Sequence, residues 1–175
     1  PRPSGSRRRS PEMKTLLLMR HAKSSWDDDG VSDHDRPLNT RGERSAPQMA
    51  AILVQHAVVP DLILSSTALR ARTTASAVAE AFGWKPELRL RRELYLASPG
   101  QILEEIAGVS DEVGCLLVVG HNPGTEELVS DLAAMREAMP TAAIARFSLA
   151  VDDWAEVGRE AGAELVQVWR PRELD

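Results

Sequence analysis

The sequence predicts an α/β protein with a six-stranded, mainly parallel sheet covered by helices. Six short runs of apolar and β-branched residues are bounded by turn residues, which is typical of strands. These runs cover residues 15–19, 61–65, 87–90, 114–119, 143–149 and 163–169. Segments with a helical spacing of apolar residues separate most of them. Strands that alternate with helices favour a parallel sheet, because each parallel connection has to cross over the sheet.

Three of the predicted strands have continuous apolar centres, as strands covered on both faces do. They are the runs 15–19, 61–65 and 114–119. The last run, 163–169, alternates polar with apolar residues. This alternation predicts that one face of the last strand is in contact with solvent.

The first predicted helix covers about 41–56, and its start is ambiguous. Capping boxes can be read both at Thr40–Glu43 and at Ser45–Gln48. A start at Thr40 would place Pro47 inside the helix, where proline is expected to kink it.

Three further helices are predicted along the chain. The second covers about 67–82 and the third lies near 99–108. The fourth opens at Asn122-Pro123, because asparagine is a good N-cap and proline suits the first helical position.

Length and composition favour one globular domain of 175 residues, with 43% apolar and 27% charged residues. The net charge of the chain is -5, although the first twelve residues carry +3. The remainder is therefore strongly acidic and unsuited to binding nucleic acid. The single Cys115 excludes an intramolecular disulfide and suits a reducing compartment. No apolar stretch approaches the length of a membrane helix. We therefore expect a cytoplasmic protein with neither a membrane nor a nucleic-acid partner.

The amino-terminal residues differ in composition from the rest of the chain. Residues 1–12 are rich in proline, serine and arginine, which predicts a disordered basic tail or an artefact of the start site, since Met13 resembles a natural start. Residues 13–175 are predicted to form a single domain.

Cationic and imidazole side chains follow three of the predicted buried strands. Arg20 and His21 come directly after the run 15–19, Arg70 lies shortly after the second buried run, and His121 follows the third. The carboxyl ends of parallel strands meet at the edge of the sheet where ligands bind. The sequence therefore predicts that these four side chains form a phosphate site.

These residue types suit phosphoryl transfer. The planar guanidinium groups of Arg20 and Arg70 match phosphate oxygens, and nearby arginines favour a neutral imidazole at His21. A neutral imidazole can attack phosphorus and form a covalent phosphohistidine. His121, at a strand-to-helix junction, could stabilise charge on the transferring group. Read singly, each of these residues could instead be an ordinary surface or turn residue.

Three weaker candidates complete the predicted site. Glu93 is the candidate proton donor to the leaving group, with a surface ion pair to Arg91 or Arg92 as the alternative. Asn122 and Arg36 are candidate phosphate contacts. The long polar loop 23–39 that holds Arg36 could border the site, as long loops at this edge of a sheet often do.

Several other kinds of site are excluded by spacing. The Asp-Asp-Asp-Gly run at 27–30 lacks the alternation of a calcium loop, so no metal site is expected. The chain has no Gly-x-x-x-x-Gly-Lys phosphate loop and no Gly-x-Ser-x-Gly elbow. Cys115 is followed six residues later by His121 rather than by an arginine, unlike a cysteine phosphatase loop.

Four motifs in order resemble the histidine phosphatase superfamily. Arg20-His21-Ala22 resembles its Arg-His-Gly signature, with the alanine found in the small bacterial SixA-like branch. Leu38–Gly42 resembles its helix start, Ser65–Ala71 its second arginine motif, and Val119–Asn122 its second histidine motif. The similarity extends over about 15–169, which is nearly the whole predicted domain.

The resemblance implies a phosphoglycerate mutase-like, three-layer sandwich with a mixed sheet. It implies that His21 is the phosphorylated nucleophile and that Arg20, Arg70 and His121 complete the phosphate pocket, without a metal or cofactor. Glu93 falls near the position of the acid in larger members. The chain has little room for the lid of the larger mutases, which favours hydrolysis and a phosphohistidine in a protein as substrate.

Two alternatives remain at this point. One is a small-molecule phosphomonoesterase or mutase, and the other is a phosphate-binding module without catalytic activity.

Overall fold

The structure is a computed structural model that describes residues 12–83, 86–158 and 162–171. The tail predicted over residues 1–12 lies outside the described residues apart from Glu12. The description therefore covers the predicted domain except for 84–85, 159–161 and 172–175.

A mixed sheet of six strands forms the centre of the molecule. The strands are β1 (Met13–Arg20), β2 (Leu62–Ser66), β3 (Glu87–Arg91), β4 (Cys115–Gly120), β5 (Ile144–Ala150) and β6 (Ala163–Trp169). Their order across the sheet is β3-β2-β4-β1-β5-β6. The first four strands in this order are parallel to one another, whereas β5 is antiparallel to both β1 and β6. The predicted α/β class with a mainly parallel, mixed sheet is confirmed.

Four helices cover the two faces of the sheet. They are α1 (Thr40–Gln55), α2 (Leu69–Glu80), α3 (Pro99–Ala107) and α4 (Gly124–Ala133). The first two pack on one face and the last two on the other, which gives the predicted three layers. Short 3-10 helices cover Asp33–Asp35, Arg92–Leu94 and Trp154–Glu156.

The apolar pattern of β1 follows from its central place in the sheet. Leu16 and Leu18 belong to the core beneath α3 and α4, while Leu17 and Met19 belong to the core beneath α1 and α2. All four side chains are at most 1% exposed. A strand buried on both faces needs apolar residues at every position, which explains the unbroken run in the sequence.

The start of α1 is fixed by Asn39. Its side-chain oxygen accepts a hydrogen bond from the Gly42 amide at 2.9 Å, so Asn39 is the N-cap. The helix begins near the earlier of the two predicted starts, but Thr40 is its first helical residue and not its cap. Ser45 lies inside the helix and is buried. Pro47 also lies inside α1, which continues without a break to Gln55.

The start of α4 differs from the prediction. Asn122 does not cap the helix, which begins at Gly124 with no side-chain cap. The Asn122 amide group instead donates to the Met139 carbonyl at 2.9 Å and to the Glu126 carboxylate at 3.2 Å. These two acceptors draw the side chain across the helix end and away from the backbone amides.

None of the helices in the described part of the chain combines the length and apolarity needed to cross a membrane.

Candidate active site

A pocket of about 290 Å³ opens beyond the carboxyl ends of β1, β2 and β4. Arg20 is the last residue of β1 and His21 follows it, whereas His121 directly follows β4 and Arg70 is the second residue of α2. All four side chains line the pocket. The structure thus brings together the four residues that the sequence singles out for a phosphate site.

His21 presents an unprotonated nitrogen to this pocket. Its Nδ1 lies 2.7 Å from the Ala22 carbonyl oxygen, which can only accept, so Nδ1 carries the proton. The lone pair of Nε2 then faces Arg70, whose Nε donates to it at 3.3 Å. Burial is the main cause that lowers the pKa of His21 to about 4, and the charges of Arg70, Arg20 and Arg36 lower it further. The ring is therefore neutral and nucleophilic near pH 7.

Arg70 connects the two histidines and an acidic loop. It is 2% exposed, and its terminal nitrogens reach His121 Nδ1 at 3.4 Å and the Asp33 carboxylate at 3.0 Å. The Asp33 carbonyl oxygen accepts a further hydrogen bond from Arg70. A surface position for this arginine, which its sequence context alone would favour, is wrong, because α2 begins at the sheet edge and directs the residue into the pocket.

His121 is held in one tautomer by its two partners. Arginine can only donate, so Nδ1 of His121 accepts from Arg70, and Nε2–H donates to the Ser66 hydroxyl at 2.8 Å. Burial and the nearby His21 and Arg70 lower the pKa of His121 to about 3. The ring centroids of the two histidines are 5.1 Å apart.

Arg20 brings a second guanidinium to the pocket. Its Nη1 donates to the Met139 carbonyl at 3.1 Å, while its buried Nε has no hydrogen-bond partner among the described residues. An unpaired buried donor is costly. A phosphoryl oxygen is an acceptor of the kind that this N–H lacks.

The loop that follows β1 places Arg36 in the same pocket. Arg36 is 8% exposed and donates to the Ser24 hydroxyl at 2.8 Å and to the Ser25 carbonyl at 3.1 Å. The ring of Trp26 lies 3.5 Å from the centre of its guanidinium group, a cation–π contact. These contacts hold a third arginine at the pocket. Its role as a phosphate contact stays a prediction.

Asp33 is a pocket residue that sequence reasoning missed. It begins the short 3-10 helix in the loop, and its carboxylate accepts hydrogen bonds from Arg70, Arg36 and the Tyr95 hydroxyl. The Tyr95 hydrogen bond is the largest cause that lowers the pKa of Asp33 to about 2, and the arginines lower it further. Its ionised carboxylate therefore occupies donors that a phosphoryl group would use. The only sequence signal was its position three residues before Arg36.

Glu93 does not reach the pocket, contrary to its predicted role as the acid. The Arg92–Leu94 turn buries Leu94 and leaves the Glu93 side chain 59% exposed. Its carboxylate lies 3.6 Å from Arg91, which is the surface ion pair that the sequence left as the alternative. Tyr95, two residues later, makes the contact with the site through Asp33.

Asn122 does line the pocket. Both acceptors of its amide group, Met139 and Glu126, lie on the same side, so its Oδ1 faces away from them and has no partner among the described residues. The role of Asn122 as a phosphate contact stays a prediction.

Cys115 is unsuited to act as a second nucleophile. Burial raises the pKa of the Cys115 thiol to about 12, so the thiol is protonated at neutral pH. No group of three or more histidine, cysteine or carboxylate side chains is arranged to hold a metal ion in the described part of the chain.

Comparison with known proteins identifies the family. A model of the histidine phosphatase superfamily (branch 1) matches residues 16–95. An uncharacterised protein of Mycobacterium tuberculosis is 41% identical over 166 residues, which cover 88% of this chain and all of that protein.

Solved structures show the same relationship over nearly the whole chain. A protein of Nakamurella multipartitia, provisionally named phosphohistidine phosphatase SixA, is 31% identical with a TM-score of 0.82, and the match covers 93% of this chain and 99% of that one. The protein histidine phosphatase SixA, solved in complex with tungstate, is 26% identical with a TM-score of 0.77, covering 92% and 99%. The chain therefore belongs to the histidine phosphatase superfamily, in its SixA-like branch.

Proposed function

We propose that this chain is a phosphatase that works without a metal, transfers a phosphoryl group to His21 Nε2, and acts on phosphohistidine in a protein. The observation that carries the proposal is the state of His21. Its Nδ1–H is committed to the Ala22 carbonyl, and its Nε2 lone pair faces a pocket lined by three arginines.

In the first step, the phosphoryl group binds among the guanidinium groups of Arg20, Arg36 and Arg70. Nε2 of His21 attacks phosphorus, the bond from phosphorus to the leaving group breaks, and the leaving group takes the bonding electron pair. The arginines offset the charge on the transferring oxygens, which is the main task of a protein in this chemistry.

In the second step, water attacks the phosphorus carried by His21. The bond between phosphorus and Nε2 breaks, its electron pair returns to the imidazole, and the proton of the water passes to the phosphate that leaves. The hydrogen bond from Nδ1–H to the Ala22 carbonyl stabilises the positive charge on the ring while the phosphoryl group is attached.

The placement of Glu93 favours a phosphohistidine substrate. An alkyl phosphate releases a strongly basic alkoxide and needs a proton donor at the leaving oxygen. Glu93 lies outside the pocket, and the Asp33 carboxylate inside it is ionised. A histidine leaving group departs as neutral imidazole when its other nitrogen carries a proton, so it depends far less on an enzymatic acid. The similarity to SixA proteins supports the same substrate class.

The test is turnover by the purified chain with a chelator present. We expect release of phosphate from a histidine-phosphorylated protein, and weaker turnover of sugar phosphates and nucleotides. Radiolabelled phosphate should be trapped on the wild-type chain by an alkaline quench, which preserves phosphohistidine.

His21→Ala should abolish both turnover and labelling, and His56→Ala is the matched control because His56 is exposed. Preferential turnover of small phosphate esters would assign the small-molecule alternative instead. Phosphate binding without any labelling or turnover would show a binding module.

The single Cys115 also leads us to propose a reducing compartment, the cytoplasm, as the location.

A further inference from the structure

A second recess of about 220 Å³ adjoins the candidate active site. It is lined by Arg20, Lys23, Arg41, Pro140, Thr141 and Pro171. Three of these residues, Arg20, Lys23 and Thr141, also line the phosphate pocket. A group bound in the recess would therefore lie directly beside a phosphoryl group bound at His21.

The recess is cationic. Three of its lining residues carry a positive charge, and no acidic side chain lines it among the described residues. Glu126 interacts electrostatically with Arg20, but its carboxylate is already bound by the Asn122 amide group and the Met139 backbone amide. Glu43, in the same turn as Arg41, does not line the recess.

The two outer cations are brought together by the backbone. The Asn39 amide donates to the Lys23 carbonyl at 3.0 Å, which places the first turn of α1 against the Lys23 segment. A Cβ atom on Gly42 would lie 2.1 Å from the same carbonyl oxygen, so only glycine permits this approach. Arg41, the residue before Gly42, is thereby held next to Lys23.

These charges lack the carboxylate partners that several surface arginines of the molecule have. Arg89 pairs with Glu87, Arg91 with Glu105, and Arg170 with Glu137, at nitrogen–oxygen distances of 2.6–2.7 Å. Lys23 and Arg41 have no carboxylate within ion-pair distance in the described part of the chain. Uncompensated cations side by side in an acidic protein repel one another, and an anion between them removes that repulsion.

We propose that this recess is a second anion site, which binds a carboxylate or phosphate carried by the substrate close to the phosphoryl group. The inference rests on the proposed function and adds a specificity to it. Arg20 lines both cavities, so the two bound anions would lie on either side of its guanidinium group, which sets the distance between them. A phosphohistidine with an acidic neighbour, or a small phosphate that carries a carboxylate, has the required chemistry.

The test compares matched substrates with and without the second charge. One pair consists of two phosphohistidine peptides that differ only in a glutamate or a glutamine beside the phosphohistidine. The other pair is carboxyphenyl phosphate and phenyl phosphate. The variants are Arg41→Gln and Lys23→Gln. Arg44→Gln is the matched control, because Arg44 is exposed on the same helix and does not line the recess.

At low ionic strength, kcat/KM for the substrates that carry the added carboxylate should fall about threefold to fivefold for each cation removed, as for an exposed charge pair. For the substrates without it, Arg41→Gln should change kcat/KM by less than about 1.5-fold, which is the expectation when no charge pair is lost. Added salt should erase the difference between the paired substrates, because it screens exposed charges.

Equal losses on both members of a pair in Arg41→Gln, or no loss in either variant, would overturn the second anion site. If neither peptide is hydrolysed while carboxyphenyl phosphate still shows the Arg41 effect, the proposed phosphohistidine substrate is overturned and the second anion site is not.

Discussion

Arg70 is the residue on which the proposed chemistry converges. It donates to both histidines and to Asp33, and it is almost completely buried. The contacts with the two histidines hold the guanidinium group beside the proposed nucleophile. A phosphoryl group that displaces Asp33 would therefore meet donors already in place for the developing charge.

Arg70→Ala is expected to lower kcat about a hundredfold to a thousandfold, which is the usual cost of losing one preorganised donor to a transition state. Steady-state assays would measure this change. Arg72→Ala is the matched control, because Arg72 is exposed two residues later on the same helix. Wild-type kcat in Arg70→Ala would show that the phosphoryl group does not bind at this arginine.

Asp33 makes the opposite contribution, because its negative charge competes with a phosphoryl group for Arg70 and Arg36. Asp33→Asn is expected to tighten the binding of tungstate or inorganic phosphate roughly threefold or more at low salt. Titration calorimetry would measure the dissociation constant.

Asp35→Asn is the control for this change. The Asp35 carboxylate is bound by Ser32 and His34 rather than by the pocket arginines. Weaker anion binding in Asp33→Asn would mean that the carboxylate positions the arginines more than it competes with the anion.

The elements around the site depend on close backbone approaches. Gly124 begins α4, and a Cβ atom there would lie 1.9 Å from the Ala97 carbonyl oxygen. The backbone at the start of α4 therefore lies directly against the segment before α3, with no room for a side chain between them. Since the Thr125 amide donates to the His121 carbonyl, the position of α4 also sets the position of His121.

Gly124→Ala is therefore expected to reduce the free energy of unfolding by roughly 1–3 kcal/mol, the usual cost of overpacking. It should also lower kcat by displacing His121. Urea unfolding and steady-state assays would measure both effects. Gly108→Ala serves as the control, because a Cβ atom at Gly108 makes only ordinary contacts at 3.7 Å. Unchanged stability in Gly124→Ala would mean that the helix can move without cost.

The two buried histidines tie the stability of the whole molecule to pH. In the folded state their pKa values are lowered to about 4 for His21 and about 3 for His121. The unfolded chain binds these protons near pH 6.5. Between about pH 6.5 and 4 the unfolded state therefore holds more protons, so stability decreases as the pH falls through this window.

Urea unfolding at pH 7 and 4.5 should show a loss of roughly 2 kcal/mol or more for each histidine. The loss should be smaller in His121→Gln and unchanged in His56→Gln, since His56 is exposed. Asp33 affects stability at lower pH. Because its pKa is lowered to about 2, its contribution to stability is lost as the pH falls from about 4 to 2. Equal pH dependence in wild type and His121→Gln would contradict the buried, neutral histidine.

Much of the architecture could be predicted because its signals are local. The six strands lie within one or two residues of their predicted bounds. In β1, burial on two faces requires the unbroken apolar run that the sequence shows. The start of α4 could not be predicted in the same way. The amide of Asn122 is drawn to Met139, seventeen residues away, and no local pattern reports that distance.

The sequence by itself determined that Arg20, His21, Arg70 and His121 share one edge of a sheet. Each follows a strand, and the carboxyl ends of parallel strands meet at one edge whatever the loops do. Only the tertiary structure decided the rest of the pocket. It brought Asp33 in, left Glu93 in solvent, and set Lys23 beside Arg41, because these placements depend on contacts between segments far apart in the chain.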